Sequence, residues 1–163
     1  MLQILKNKLK NQGFGVIELL VAILIIIVAL VFIMEIYSFF LKAGAQNAKR
    51  LQAVALAQEV IEATRSVRDE NWNNIANLSI ETTYYPAQSG SPAKWILSVG
   101  QQTINGFTRQ VVLSRVYRDA NDNIIESGGT EDLGTRKIIA TVLWQERGKN
   151  YSVDLATYLT NWR

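Results

Sequence analysis

A chain of 163 residues has room for one compact domain and one additional element. Its 17 Lys and Arg face 14 Asp and Glu, but Lys6, Lys8 and Lys10 precede Gly13. Beyond Gly13 the charges balance, and no basic surplus asks for a nucleic-acid partner. With neither cysteine nor histidine, the chain has no disulfide, thiol nucleophile, imidazole base or common zinc site, and its residues call for no cofactor.

The hydrophobicity is concentrated near the start. Leu19 to Met34 are sixteen consecutive apolar residues without Gly or Pro, and the apolar region from Phe14 to Leu41 covers 28 residues. As a helix this is roughly 42 Å long at about 1.5 Å per residue, enough to cross a bilayer core of about 30 Å. A soluble core helix is not apolar on every face, so the segment is expected in a membrane.

A basic tail before an apolar run, with Ala43-Gly44-Ala45 after it, matches the outline of a secretory signal peptide. Such signals carry an apolar stretch of about 7–15 residues, far shorter than this one, and bulky Phe39, Phe40 and Leu41 crowd the cleavage position. An uncut signal anchor accounts for the apolar run alone, and the lysines on both sides leave its orientation open.

Gly13, Phe14 and Glu18 need more. The stretch KNQGFGVIELLVAILIII resembles the processing site of type IV prepilins and pseudopilins. A short basic leader ends in Gly, Phe is the first mature residue, Glu is the fifth, and a seamless apolar helix follows. The resemblance implies cleavage between Gly13 and Phe14 by a prepilin peptidase, then N-methylation of Phe14. It also implies that Glu18 pairs with the N-terminal amine of a neighbouring subunit during assembly. The bland alternative is that Glu18 complements its own helix N-terminus, worth about 0.3–1 kcal/mol. Two positions depart from the pattern. Gly15 stands where a hydroxyl or larger residue is usual, and Glu35 where major pilins commonly carry a proline. Together they point to a minor pilin or pseudopilin.

After the apolar region the helical pattern continues. Ala53, Leu56, Ala57, Val60, Ala63, Thr64 and Val67 recur at spacings of three and four, forming one stripe. ALAQEVIEATRSVRDENW resembles the same region of V-type minor pilins. A dimeric coiled coil would also use such a stripe, but would leave the following strands uncovered. Strands are expected at SIETTYY, KWILSV, FTRQVVLSRVYR, RKIIATVLWQE and YSVDLATYL, with loops at PAQSGSP, DANDN and ESGGTEDLGT and a hairpin turn at RGKN. Ile138, Ala140, Val142 and Trp144 share one strand face, as do Tyr151, Val153, Leu155 and Leu159. The expected fold is α+β, a long N-terminal helix packed on an antiparallel sheet, which is also the pilin arrangement. The expected divisions are a leader at 1–13, an apolar transmembrane and assembly helix at 14–41, its amphipathic continuation at 42–70, and a β-sheet region at 71–163.

Other chemistry is sparse. Asp119, Asn121, Asp122 and Asn123 offer oxygens for Ca²⁺, but Asx residues are also the default for turns. Glu126, Glu131 and Asp132 are carboxylates of the kind glycosidases pair, in a Gly-rich loop without sign of a pocket. Arg109, Arg115, Arg118, Arg136 and Lys137 fit a DNA-contacting sheet face or, more simply, solvated strand positions. Trp72, Trp95, Trp144 and Trp162 read as core or sheet-edge packing.

The resemblance thus implies a non-enzymatic filament subunit, held first in the cytoplasmic membrane with its C-terminal domain outside. Its partners would be membrane lipid, prepilin peptidase, other pilin subunits and the assembly machinery. The rival readings are a membrane-anchored binding domain that never polymerises, and a DNA-uptake pseudopilin.

Overall fold

The computed structural model describes residues 15–162. The chain divides into two compact units between Gln46 and Asn47. Helix α1, Val16–Glu70, contributes residues to both.

Among the described residues nothing covers the helix in the first unit. Large apolar side chains from Val16 to Leu41 are 45% to 77% exposed. The core helix of a soluble protein buries such residues; this one is long and apolar enough to cross a membrane and buries none of them. About 25 cal/mol per Å² favours moving such surface out of water, so the stable surroundings of this segment are apolar.

In the second unit the stripe is used as its spacing predicts. Ala53, Ala57, Val60, Ala63, Thr64 and Val67 are buried, and Leu56 packs half-buried against the same core. Alanines at 53, 57 and 63 let the helix backbone approach the sheet closely. Thr64 satisfies its buried hydroxyl by donating to the Val60 carbonyl at 2.8 Å. The opposing surface is built from Phe107, Val111, Leu113, Ile138, Ala140, Val142, Trp144 and Leu159. Fully burying one such aliphatic side chain is worth about 1.5–3 kcal/mol, which is why the face holds the helix.

The sheet is antiparallel, with strands β1 Thr83–Ser89, β2 Lys94–Val99, β3 Gln102–Ile104, β4 Phe107–Arg118, β5 Ile124–Ile125, β6 Thr130–Glu146 and β7 Lys149–Thr160. The order is β2-β1-β4-β6-β7, with β3 and β5 added on β4. A one-turn helix α2, Asn73–Ala76, follows α1 and buries Ile75. The fold is α+β, a long N-terminal helix packed on an antiparallel sheet.

Several boundaries differ from the sequence expectation. Strand β1 starts at Thr83 because Glu81 takes a left-handed turn, and Tyr84 folds its hydroxyl back to accept from Ser79 N–H at 2.9 Å. It runs on through Pro86 to Ser89. Pairing with β4 ends at Tyr84, so Pro86 lies where the strand has β2 alone as partner, and its missing N–H is tolerated. Strand β6 begins six residues before Arg136, taking in TEDLGT. Its early residues pair Tyr117 with Glu131 and Arg118 with Thr130, beyond a register shift in β4. The turn leading into it needs Gly129, since a Cβ there would overlap the Arg118 carbonyl oxygen. The β6–β7 hairpin turns on Arg147-Gly148 alone, both at positive φ, and Lys149 and Asn150 already belong to β7.

Candidate functional site

Gly13 and Phe14 lie outside the described residues. Glu18 is the third residue of α1, and its Oε2 accepts a hydrogen bond from Gly15 N–H at 2.9 Å. This is one half of a capping box, in which an N3 glutamate returns to the cap backbone. The reciprocal half is missing because Gly15 has no side-chain oxygen. Glu18 is exposed, so the bond within its own chain leaves carboxylate surface available to another group.

In the DANDN loop, Asp119 accepts from Asn121 N–H and Asn123 N–H at 2.9 Å and from Asn123 Nδ2 at 3.1 Å. The Asn123 side-chain bond first, then the backbone donors, hold its carboxyl below the usual aspartate range. Its oxygens serve the turn, and among the described residues no group of three or more acidic side chains gathers as a metal site.

Of the three carboxylates in and around the Gly-rich segment, Glu126 lines an open cavity with Arg115, Lys137 and Tyr158, while Glu131 and Asp132 bond to other groups. Asp132 accepts from Thr135 Oγ1 and from Arg118 Nε, both at 2.7 Å, and from Gly134 N–H at 2.9 Å. The Thr135 hydroxyl and then Arg118 depress its pKa, while the Asp132 bond raises that of Arg118. Glu131 lies 3.5 Å from Arg115 and 3.9 Å from Arg136. These bonds give Glu131 and Asp132 the role of strand-to-strand clasps.

Two of the arginines correct the expectation of solvated strand positions, while Arg115 is exposed as expected. Arg109 and Arg136 are only 5% and 6% exposed, on the core-facing sides of β4 and β6. Arg109 donates to Glu59 of α1 and to Gln102 of β3, each at 2.8 Å, and so ties helix, inner strand and edge strand together. Four of the five basic side chains proposed for a DNA face thus have carboxylate partners. Trp144 is buried, stacked on Tyr151 with ring centroids 5.6 Å apart and tilted against Phe107 at 5.9 Å. Trp72 and Trp95 are half-buried beside the core. Trp162 is not core: it is 61% exposed, with the Arg68 guanidinium 5.8 Å from its ring centre.

No family model, curated protein or solved structure matches this chain.

The second unit is held by its core and by ion pairs, and it buries Arg136 Nε, Trp144 Nε1 and Glu146 Oε2 without a hydrogen-bond partner among the described residues. On the first unit Glu18, Glu35 and Lys42 are exposed and form no ion pair among the described residues.

Proposed function

We propose that the chain is a minor type IV pilin or pseudopilin, a non-enzymatic subunit cut between Gly13 and Phe14 and assembled through its N-terminal helix. The observation that carries the proposal is the placement of Glu18. A carboxylate three residues into a helix that is apolar and uncovered on every side costs up to about 2.5–3.5 kcal/mol at a bilayer centre, and less near its edge. A cut after Gly13 would create an α-amine of unperturbed pKa about 7.7–8.0, mostly protonated at neutral pH. That cation would stand about one helical turn from Glu18, and a neighbour's amine is an apt partner for the carboxylate in an apolar bundle. The continuity of α1 supports the same reading, since one helix serves both as membrane segment and as the spine of the second unit.

In this reading the subunit waits in the cytoplasmic membrane with residues 71–163 outside it, and the assembly machinery transfers its helix from lipid into a bundle. The rival, an anchored domain that does not polymerise, draws on the Gly15–Glu18 hydrogen bond, which gives Glu18 a use within one chain. Mass spectrometry of the mature chain tests the processing. The expected N-terminus is N-methylated Phe14. An intact Met1 would favour the uncut anchor, and a start at Gln46 would establish signal-peptide cleavage.

A further inference from the structure

Of the five basic side chains considered for a sheet face, Lys137 is the one without a carboxylate partner among the described residues. It is half-buried and stands in the middle of a row. Strand β4 sets Ser114 opposite it on one side, and β7 sets Tyr158 on the other. Their chain neighbours Leu113, Ile138 and Leu159 are buried in the core. Alternation therefore turns the row of three to the sheet face away from α1.

This row lines a cavity of about 670 Å³, within the range of about 300–1,000 Å³ usual for small-ligand sites. Glu126 reaches it from just beyond β5, and Glu81 from the turn before β1. Glu81 keeps a left-handed backbone, φ 57°, and its N–H donates to the Leu113 carbonyl at 2.9 Å. The side chains of Ser114, Lys137, Tyr158, Glu81 and Glu126 form no hydrogen bond or ion pair among the described residues. Arg115 also lines the cavity. Only its Nη1 approaches Glu131, at 3.5 Å, so further guanidinium donors remain.

We infer that this cavity binds an uncharged saccharide. Charge decides the class. An anion would meet Glu81 and Glu126, a cation would meet Arg115 and Lys137, and like charges brought together are costly. An apolar ligand would strip water from all four without answering any. Sugar hydroxyls both donate and accept, so one ligand can give to the glutamates and accept from Lys137 and Arg115. Tyr158, and Tyr117 beside it in the cavity, add rings with an apolar body and a hydroxyl tip. Such rings suit the C–H face of a pyranose. The site belongs to the second unit and does not depend on whether the chain polymerises.

Saturation-transfer NMR tests the assignment on the full chain, held in a polyoxyethylene detergent because alkyl glycosides carry the proposed ligand. The probes are cellotriose, chitotriose and galactotriose. Glycylglycine serves as a zwitterion, and inorganic phosphate, followed by its phosphorus line width, as an anion. At least one of the sugars should receive saturation from the protein. Lys137→Met and Glu126→Gln should each weaken its binding about tenfold, the loss of one hydrogen bond to a charged group, at an unchanged melting temperature. Ser152→Ala, on β7 but outside the cavity, should bind as wild type does. The inference is overturned if no sugar binds, if both cavity variants bind as tightly as wild type, or if only glycylglycine or phosphate responds.

Discussion

Asp132 shows how one residue carries a local structure that composition does not reveal. Its carboxylate collects bonds from Thr135, Arg118 and Gly134, and these favour the ionised form. A carboxyl whose folded pKa lies below its unfolded value stabilises the fold above the unfolded value, about 3.9 for aspartate. That stabilisation is lost as pH falls through the depressed folded value. Thermal unfolding of the second unit should therefore be flat in this respect from neutral pH to about pH 5 and lose stability below about pH 4. Asp132→Asn should start lower and show a weaker acid-induced loss. An identical acid profile in the variant would show that Asp132 does not carry this dependence. The buried arginines teach a related lesson. Alternation along β4 and β6 already assigns Arg109 and Arg136 to the faces that hold Phe107, Val111, Ile138 and Ala140. Residue type argued for solvent, and period argued for the core. Period won: Gln102 and the partly exposed Glu59 reach the buried Arg109 guanidinium, while Arg136 lies 3.9 Å from Glu131 and keeps its Nε unbonded.

At the scale of elements, the helix stripe was the most legible part of the sequence. Spacings of three and four name the residues that the sheet covers, since the pattern is long and tertiary packing agrees with it. Val60 is fully buried at its centre. Val60→Asp would place a charge there without a partner, a change expected to cost roughly 4 kcal/mol or more. That is most of the stability of a domain at the lower end of the typical range of about 5–15 kcal/mol. In a fragment from Ala45 to Arg163, wild type should give a mixed α and β circular dichroism spectrum with cooperative melting, and Val60→Asp should not. Cooperative melting at the wild-type temperature in the variant would contradict the packing described. Strands β3 and β5 were illegible for a simple reason: with three and two residues, neither displays a period. Asn105-Gly106 is nonetheless a strong hairpin signal, and it makes the β3–β4 turn with both residues at positive φ. The TEDLGT start of β6 was hidden by its polarity, because Arg118 and Asp132 hold it in place of an apolar face.

For the whole molecule, the two units differ in what they cover. The second has a core and ion pairs such as Arg109–Glu59, and leaves Arg136 Nε, Trp144 Nε1 and Glu146 Oε2 buried without a hydrogen-bond partner among the described residues. The first exposes apolar surface on all sides and holds its few charges, Glu18, Glu35 and Lys42, without an ion pair among the described residues. In the filament reading proposed above, the Glu18 charge is completed by the amine of a neighbouring subunit.

Glu18→Gln separates assembly from capping more directly than any other change. Glutamine keeps an oxygen for Gly15 N–H, as in a capping box, and removes the charge. In lipid it relieves the cost of a carboxylate, so processing, insertion and folding should be normal. In a bundle it leaves a neighbouring amine unanswered. The decisive quantity is the ratio of surface-sheared to membrane-bound protein for wild type, Glu18→Gln and Glu18→Ala, with the other filament components present. Wild type should enter the sheared fraction, and both variants should fall well below it. A Gln variant at the wild-type ratio, with or without a defect in the Ala variant, would reduce Glu18 to a helix cap and remove the charge from assembly.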